Sequence, residues 1–326
     1  RYAPQLERDA PERAAPLDDR SLADFGRLYF GRSVVERWMG PFVGPLGTLP
    51  DTSRALFLRR YQAQGGLLLG LPRAPLAELV DAATSRLALE KGVEALRIEP
   101  LAAGGIRVQA RERGRDRGLE ADAVVVATGA AEAARVAEPA LCSAERDALS
   151  RVRYAPRLVL VLGLRRALHP HPQCIAAPPG ESGPIARIAL EPGVPGGRVP
   201  AGLGLAQVDA TPELCDGAAR APDDALAKEL REAFEALLDG ARGAAAWTRL
   251  YRLPRAEARF DVGRYREIER FERVQEGQRG AGRRLYFAGD YLMDPSWNGA
   301  LLSGQRAARA VMADLARPAT APARRA

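Results

Sequence analysis

The sequence predicts an α/β chain in which two architectures alternate. Two observations predict it. Short apolar runs at 121–126 and 285–288 end in small or polar turns, as expected of parallel strands covered on both faces. Between them, from about residue 141 to 275, further buried runs alternate with amphipathic helices and with a proline- and glycine-crowded stretch, the pattern of an α+β layout.

In order along the chain, residues 1–18 form an irregular, proline-dotted lead-in. Ser21 followed by Asp24 reads as a capping box with Asp for Glu, opening a helix that runs to about Met39. Leu22, Phe25, Leu28, Tyr29, Val34, Val35 and Trp38 supply its apolar side, and Gly31 divides it. The segment Gly40–Gly47 is rich in breakers and reads as a turn. Residues 74–89 suit a helix, Gly92–Ile98 a strand and Ile106–Arg111 its hairpin partner, with Gly104 and Gly105 at the turn. Ala121–Val126 is a buried strand that closes on Thr128 and Gly129, and an alanine-rich helix follows. Leu158–Leu164 and Gly202–Val208 are strands, and Ala225–Leu238 is a helix with Leu226, Leu230, Phe234 and Leu237 on one side. Residues 317–326 read as a disordered tail.

The segment with the most chemistry lies between Arg284 and Ala308. A short strand, Leu285–Ala288, leads to Gly289 and Asp290, then a loop, then a helix of small residues. Gly289 lets the backbone pass close to a ligand, and Asp290 can accept a hydrogen bond from a sugar-type hydroxyl. Ser296 or Asn298 caps the helix, whose first amides are then turned toward whatever precedes them. A solvated cap at an ordinary strand–loop–helix corner is the plainer alternative for Asp290.

This segment resembles the C-terminal flavin motif of the FAD-dependent amine oxidase superfamily, which includes protoporphyrinogen oxidases and carotenoid desaturases. The resemblance implies FAD as cofactor, with Gly289 and Asp290 at its ribityl and diphosphate region and Asn298, Gly299 and Ala300 presenting amides to the isoalloxazine ring. It also implies that Val93, at the start of the first hairpin strand, touches the adenine, although a core valine fits that position equally. Gln64–Leu71 resembles the family's glycine-rich approach to a helix of the FAD domain, and 121–129 its closing strand. The stretch from Ser21 to Gly44 resembles the helical substrate segment of protoporphyrinogen oxidases, with a generic pair of amphipathic helices as the alternative. Arg259–Tyr265 resembles the return to the FAD domain, with Arg259 where the family usually has proline.

The implied fold is an incomplete FAD/NAD(P)-binding Rossmann-like domain with an inserted α+β substrate domain. Its segments are 1–61 (helical part of the substrate domain), 62–140 (middle of the FAD domain), 141–275 (substrate domain), 276–316 (end of the FAD domain) and the 317–326 tail. A dinucleotide fold opens with a strand, GxGxxG and a helix. Gly202, Gly204 and the following residues match only its first two glycines, and Gly40–Gly47 has the wrong spacing. Tight FAD binding by this chain alone is therefore in question, and a missing N-terminal segment or a partner chain is the expected complement. The chain begins at Arg1 with neither an initiator methionine nor a secretory pattern, as a fragment or processed product would.

The resemblance implies an oxidoreductase in which substrate hydride passes to the flavin, with the protein supplying binding, orientation and electrostatics. Amine oxidases of the superfamily carry a lysine on the strand that Tyr154–Leu160 resembles. Here Arg157 stands nearest, and it is either a site arginine or a surface one. Lys91 and Lys228 are the only lysines and lie elsewhere. That favours a small hydrophobic or aromatic carbon framework, porphyrinogen-like or polyene-like, over an amine. An amine oxidase of the same superfamily, or a non-catalytic fragment, is the alternative.

Composition narrows the remaining classes. The chain has 326 residues and a formal charge of +7, carried by arginines scattered without a basic–aromatic stripe, so no nucleic-acid partner is expected. A peripheral contact with a membrane surface stays open. Three cysteines without CxxC spacing and two histidines in His169-Pro-His171 argue against a disulfide scaffold or a metal site, and the expected compartment is the cytoplasm.

Overall fold

A computed structural model of the chain describes residues 3–44, 47–64, 74–101, 105–178 and 180–316. The glycine-rich approach at 65–71, Gly104 and the tail at 317–326 lie outside the described residues. The helices of the first third are α1 (Leu22–Tyr29), α2 (Arg32–Val34), α3 (Gly40–Val43), α4 (Arg54–Gln64) and α5 (Leu76–Thr84). Strands β1 (Val93–Pro100), β2 (Ile106–Glu112), β3 (Arg115–Ala121) and β4 (Val124–Val126) follow, then α6 (Ala130–Val136) and α7 (Ser143–Ser150). Next come β5 (Tyr154–Leu164), β6 (Gln173–Ala176), β7 (Ile185–Pro192) and β8 (Gly204–Ala210), then α8 (Pro212–Gly217) and α9 (Asp223–Leu237). The chain ends with β9 (Ala245–Ala258), α10 (Arg264–Gly280), β10 (Leu285–Phe287) and α11 (Trp297–Leu315). The class is α/β, as expected.

Two compact units divide these elements. One comprises residues 20–89 and 154–262. Its centre is a five-stranded antiparallel sheet in the order β6-β7-β8-β5-β9. In β5 the period-two set Leu158, Leu160, Leu162 and Leu164 is buried with Leu226, Leu230 and Phe234 of α9, so strand and helix close one apolar layer. Leu237, expected on the same helix face, is 43% exposed. A second cluster joins Leu22 and Phe25 to Val35, Met39, Val43 and Phe57. Ser21 caps α1 as its spacing predicts, accepting the Asp24 N–H at 3.1 Å. The long helix expected from Ser21 to Met39 is broken where Gly31 takes φ +84°, and Leu28, Tyr29 and Trp38 stay exposed because only the other side of α1 and the following π turn meets the core.

The other unit comprises residues 1–19, 90–153 and 263–326. It holds an antiparallel sheet β1-β2-β3 and a parallel pair, β4 with β10, in register from Leu285↔Val124 to Phe287↔Val126. This is the one parallel pairing among the described residues. Three of its elements, β3, α7 and α10, were not predicted. Polar β3 has no apolar alternation to announce it, and α10 is so arginine- and glutamate-rich that its buried positions, Tyr265, Ile268, Phe271 and Gln275, are diluted. Asp18 caps α10 from far upstream, its Oδ2 accepting the Tyr265 N–H at 2.8 Å and the Arg266 N–H at 3.3 Å.

The units break the chain after residues 19, 89, 153 and 262. The expected segments break after 61, 140, 275 and 316. The difference has a local cause. Glu145 of α7, fully buried, pairs with Arg283 and with Gln275 of α10, so α7 and α10 pack on each other within one unit. Among the described residues no helix is long and apolar enough to cross a membrane, and no group of metal-ligating side chains occurs. Cys142, Cys174 and Cys215 are free thiols.

Candidate functional site

The candidate site is built on β10. Leu285, Tyr286, Phe287 and Ala288 are buried, as a strand covered on both faces requires. Ala288 donates its N–H to Val126 at 3.0 Å, which extends the pairing with β4 up to Gly289. There the strand stops. The Gly289 N–H is taken by Ser303 Oγ of α11 at 3.0 Å, and Asp290 begins a one-turn helix, Asp290–Leu292.

Gly289 is extended, with φ 165°, so backbone strain does not select glycine here. Close approach does. A Cβ at this position would lie 2.4 Å from Tyr291 Cε1, because the fully buried Tyr291 folds its ring back over Gly289. Asp290 is half-buried, and its Oδ1 accepts the Tyr291 N–H at 2.8 Å. Its carboxylate thus sits at the C-terminal end of a parallel strand, where ligands of open α/β sheets bind.

Helix α11 starts with Ser296, not Asn298, as its cap: Ser296 Oγ accepts the Gly299 N–H at 3.0 Å. Asn298 is exposed one position further in, and Ala300 is exposed beyond it. Gly299 is buried, and a Cβ on it would stand 2.0 Å from the Asp294 carbonyl oxygen, so only glycine lets the loop cross the helix start. The N–H groups of Trp297 and Asn298 have no acceptor among the described residues and form the open, electropositive end of a nineteen-residue helix.

Four of the six residues named from the sequence (Gly289, Asp290, Gly299 and Ala300) are tied to Ser303, Ser296 or Tyr291, and Asn298 lies among them in the first turn of α11. Val93 opens β1 in the same unit and is half-buried, in a different sheet from β10. Sequence reasoning missed Ser303 and Tyr291, which hold the corner together. A serine in the second turn of a small-residue helix and a tyrosine directly after Gly289-Asp290 were their only signals.

Behind β10 lies a cavity of about 280 Å³ lined by Glu272, Arg279, Tyr286, Ser303 and Arg306, among others. Its charges are already matched. Arg306 reaches Glu12 at 2.9 Å and Glu272 at 3.5 Å, and Arg279 reaches Asp314 at 3.4 Å. Burial raises the Glu272 carboxyl above its ordinary pKa against the pull of Arg306. Burial, and then the 3.0 Å hydrogen bond to Asp314, push the Tyr286 phenol up to about 12.

A second buried cluster lies in the other unit. Arg157 is only 14% exposed and pairs with Asp209 and, at 2.7 Å, with Glu257, so it is not a surface arginine. Arg187 also reaches Asp209, at 2.8 Å. Burial works against the Arg157 cation, but the two carboxylates hold its pKa above the ordinary value. Burial raises Glu257 more than Arg157 lowers it.

The corner suits part of a flavin. An acceptor carboxylate and a helix start with open amides match the hydroxyls and the electron-rich ring edge. The described residues offer no glycine turn for a diphosphate.

The comparisons agree with that chemistry. Over residues 2–312 the chain matches the model of the family described as flavin containing amine oxidoreductase. Among solved structures, a provisionally named protoporphyrinogen oxidase from Exiguobacterium is similar with a TM-score of 0.66 at 14% identity, covering 92% of this chain and 68% of its own. Cyclohexylamine oxidase from Brevibacterium oxydans is similar with a TM-score of 0.67 at 17% identity, covering 97% of this chain and 73% of its own. At such identities the likeness concerns the fold. No curated protein matches the chain. A match spanning nearly the whole polypeptide, on a chain whose β10–α11 corner has a flavin-type donor and acceptor set, places this protein in the flavin containing amine oxidoreductase family.

Proposed function

We propose that the chain is an FAD-dependent oxidoreductase that takes hydride from a carbon framework, porphyrinogen-like or polyene-like, rather than from an amine. When bound, the flavin supplies the electron acceptor. The chain's own residues do the rest. Asp290 would accept from the ribityl region, Gly289 would give the strand end the room that the Tyr291 ring takes up beside it, and the open amides at Trp297 and Asn298 would stabilise negative charge gained at the ring edge. Val93 is proposed to touch the adenine. The unit containing β4 and β10 is assigned to the cofactor, in a Rossmann-like layout, and the unit built on β5 to the substrate.

The observation that carries the choice of substrate class is the state of Arg157. It stands where the amine-oxidising relatives are expected to hold a lysine. It is locked between Asp209 and Glu257 and cannot give up a proton. Neither lysine compensates: Lys91 is exposed, and exposed Lys228 lies 3.8 Å from Glu232 on α9.

Titration of the purified chain with FAD, followed by flavin absorption and fluorescence, tests the cofactor. A perturbed spectrum is expected. Asp290→Asn should weaken binding by about 1.5–3 kcal/mol, tenfold or more, because a charged acceptor is lost. A free-FAD spectrum at every protein concentration sinks the proposal. Substrate class is read from which compound bleaches the bound flavin without oxygen. A primary amine that bleaches it while porphyrinogen and polyene do not would reverse the choice.

A further inference from the structure

Cross-strand register in the five-stranded sheet sets Glu191 of β7, Leu205 of β8, Gly163 of β5 and Trp247 of β9 side by side on one face. The glycine leaves a notch in that row, and the indole leans into it. A Cβ on Gly163 would overlap Nε1 and Cε2 of Trp247, so only glycine lets the ring lie against the strand. One side of the ring is covered in this way and the rest is open, since Trp247 is 53% exposed. An exposed tryptophan held against its own sheet has little freedom left to lose when a second ring stacks on it.

Trp247 is one wall of an open cavity of about 750 Å³ that lies wholly within the unit built on β5. Leu205, Leu203, Val199, Pro200 and Leu76 supply most of its apolar lining. The wall formed by the β7–β8 loop is built in advance. Gly193 donates its N–H to the Leu203 carbonyl at 2.8 Å, Gly197 donates to Val194 at 3.0 Å, and Arg198 Nε grips Glu191 at 2.9 Å. Such a volume, apolar with a few polar groups, is that of a small-molecule site. Its charge is one-sided. Arg165 and Arg198 line it, and no carboxylate among the described residues does. Glu191 matches Arg198. Arg165, exposed just past the end of β5, gives its backbone N–H to Ala244 at 2.9 Å, and its guanidinium has no ion pair or hydrogen bond among the described residues.

We propose that this cavity binds a flat, conjugated ring system that bears a carboxylate. The ring stacks on the open side of Trp247, offset as aromatic pairs prefer, with the leucines at its edge, and the carboxylate takes the guanidinium fork of Arg165. A flexible acyl chain would use the apolar walls but has no need of a ring held against a glycine. A neutral ring would leave Arg165 without a counter-charge. Arg157 lies on the same strand at a distance of roughly 20 Å by strand rise, and neither Asp209 nor Glu257, which hold it, lines the cavity. The inference draws on the β5 unit alone and does not depend on the uptake of FAD.

The probe is 1-pyrenecarboxylate, compared with 1-pyrenemethanol as the uncharged ring, 1-adamantanecarboxylate as the acid without a flat ring, and palmitate as the flexible acid. Binding to the full chain, without FAD, is read by calorimetry and by quenching of tryptophan emission. One-to-one binding of pyrenecarboxylate is expected, at least tenfold tighter than that of each other compound. Arg165→Gln alters an exposed side chain and should erase the advantage over pyrenemethanol. Trp247→Leu keeps an apolar wall and should erase the advantage over adamantanecarboxylate, whereas Trp247→Phe should keep most of it. Circular dichroism and melting check that each variant is folded, and the Arg165 series decides alone if Trp247→Leu is not. The proposal is overturned by absence of saturable binding, by pyrenemethanol or palmitate binding as tightly as pyrenecarboxylate, or by affinity indifferent to either folded variant. Pyrenecarboxylate that binds as expected to a chain that takes up no FAD would remove the flavin reading alone.

Discussion

Ser303 Oγ accepts the Gly289 N–H at 3.0 Å and so fastens the end of β10 to the second turn of α11. Ser303 is 3% exposed, and no water can replace it cheaply. Ser303→Ala should cost roughly 1–3 kcal/mol, the penalty of leaving a buried donor unmade. Urea unfolding measures it. A change below a few tenths of a kcal/mol would mean that packing alone joins the two elements.

Gly299→Ala tests the loop crossing. The new methyl would meet the Asp294 carbonyl oxygen at 2.0 Å, so loop or helix must shift. A loss of about 1–3 kcal/mol is expected, typical of overpacking. Ala300→Ser, next to it and exposed, should stay within about 0.5 kcal/mol. Equal thermal shifts for the two variants would contradict the close approach.

Glu145 is fully buried between Arg283 and Gln275. Removing it strands a guanidinium that is itself only 12% exposed. Glu145→Ala should therefore destabilise by about 3–5 kcal/mol, and Arg283→Met with Glu145→Leu together by much less. Chemical denaturation of the single and double variants distinguishes a needed pair from two independent contacts.

Asp18 caps α10 across the sequence, from the lead-in segment. Asp18→Ala should cost about 1–2 kcal/mol. The loss should be local. Amide exchange should quicken first at Tyr265 and Arg266, and quickening that starts instead at the C-terminal end of α10 would count against the cap.

Glu257 sets a pH dependence. Its folded pKa is raised above the ordinary 4.5, by burial first and against Arg157. The folded chain then holds that proton more tightly than the unfolded one. Its stabilising effect is complete below the unfolded pKa and is lost as pH rises through the folded one. Glu257→Gln has no such loss. As pH rises above the ordinary carboxylate value of 4.5, the unfolding free energy of the variant should gain on that of the parent. A steady difference, or a gain by the parent, would show that the pairing with Arg157 outweighs burial.

Local pattern was readable wherever one face of an element decides its fate. The alternate leucines of β5, the Ser21–Asp24 cap and the small-residue helix after Asp290 each carry their signal within a dozen residues, and each stands where the pattern predicts. Elements stabilised from afar were not readable. Helix α10 takes its cap from Asp18 and joins α7 through Gln275 and Glu145, partners far away in sequence. Polar β3 is held as an edge strand by its hydrogen bonds to β2 alone.

The same split runs through the candidate site. Residue types alone determined that a glycine, a carboxylate and a capped helix follow one another at the end of an apolar strand, because each type has one backbone or hydrogen-bonding talent that neighbours cannot supply. Only the tertiary structure decided that Ser296 rather than Asn298 is the cap, that Arg157 is enclosed between two carboxylates, and that Trp297 and Leu301 of α11 are exposed. Burial and pairing depend on what lies across space, and a linear pattern records only what lies along the chain.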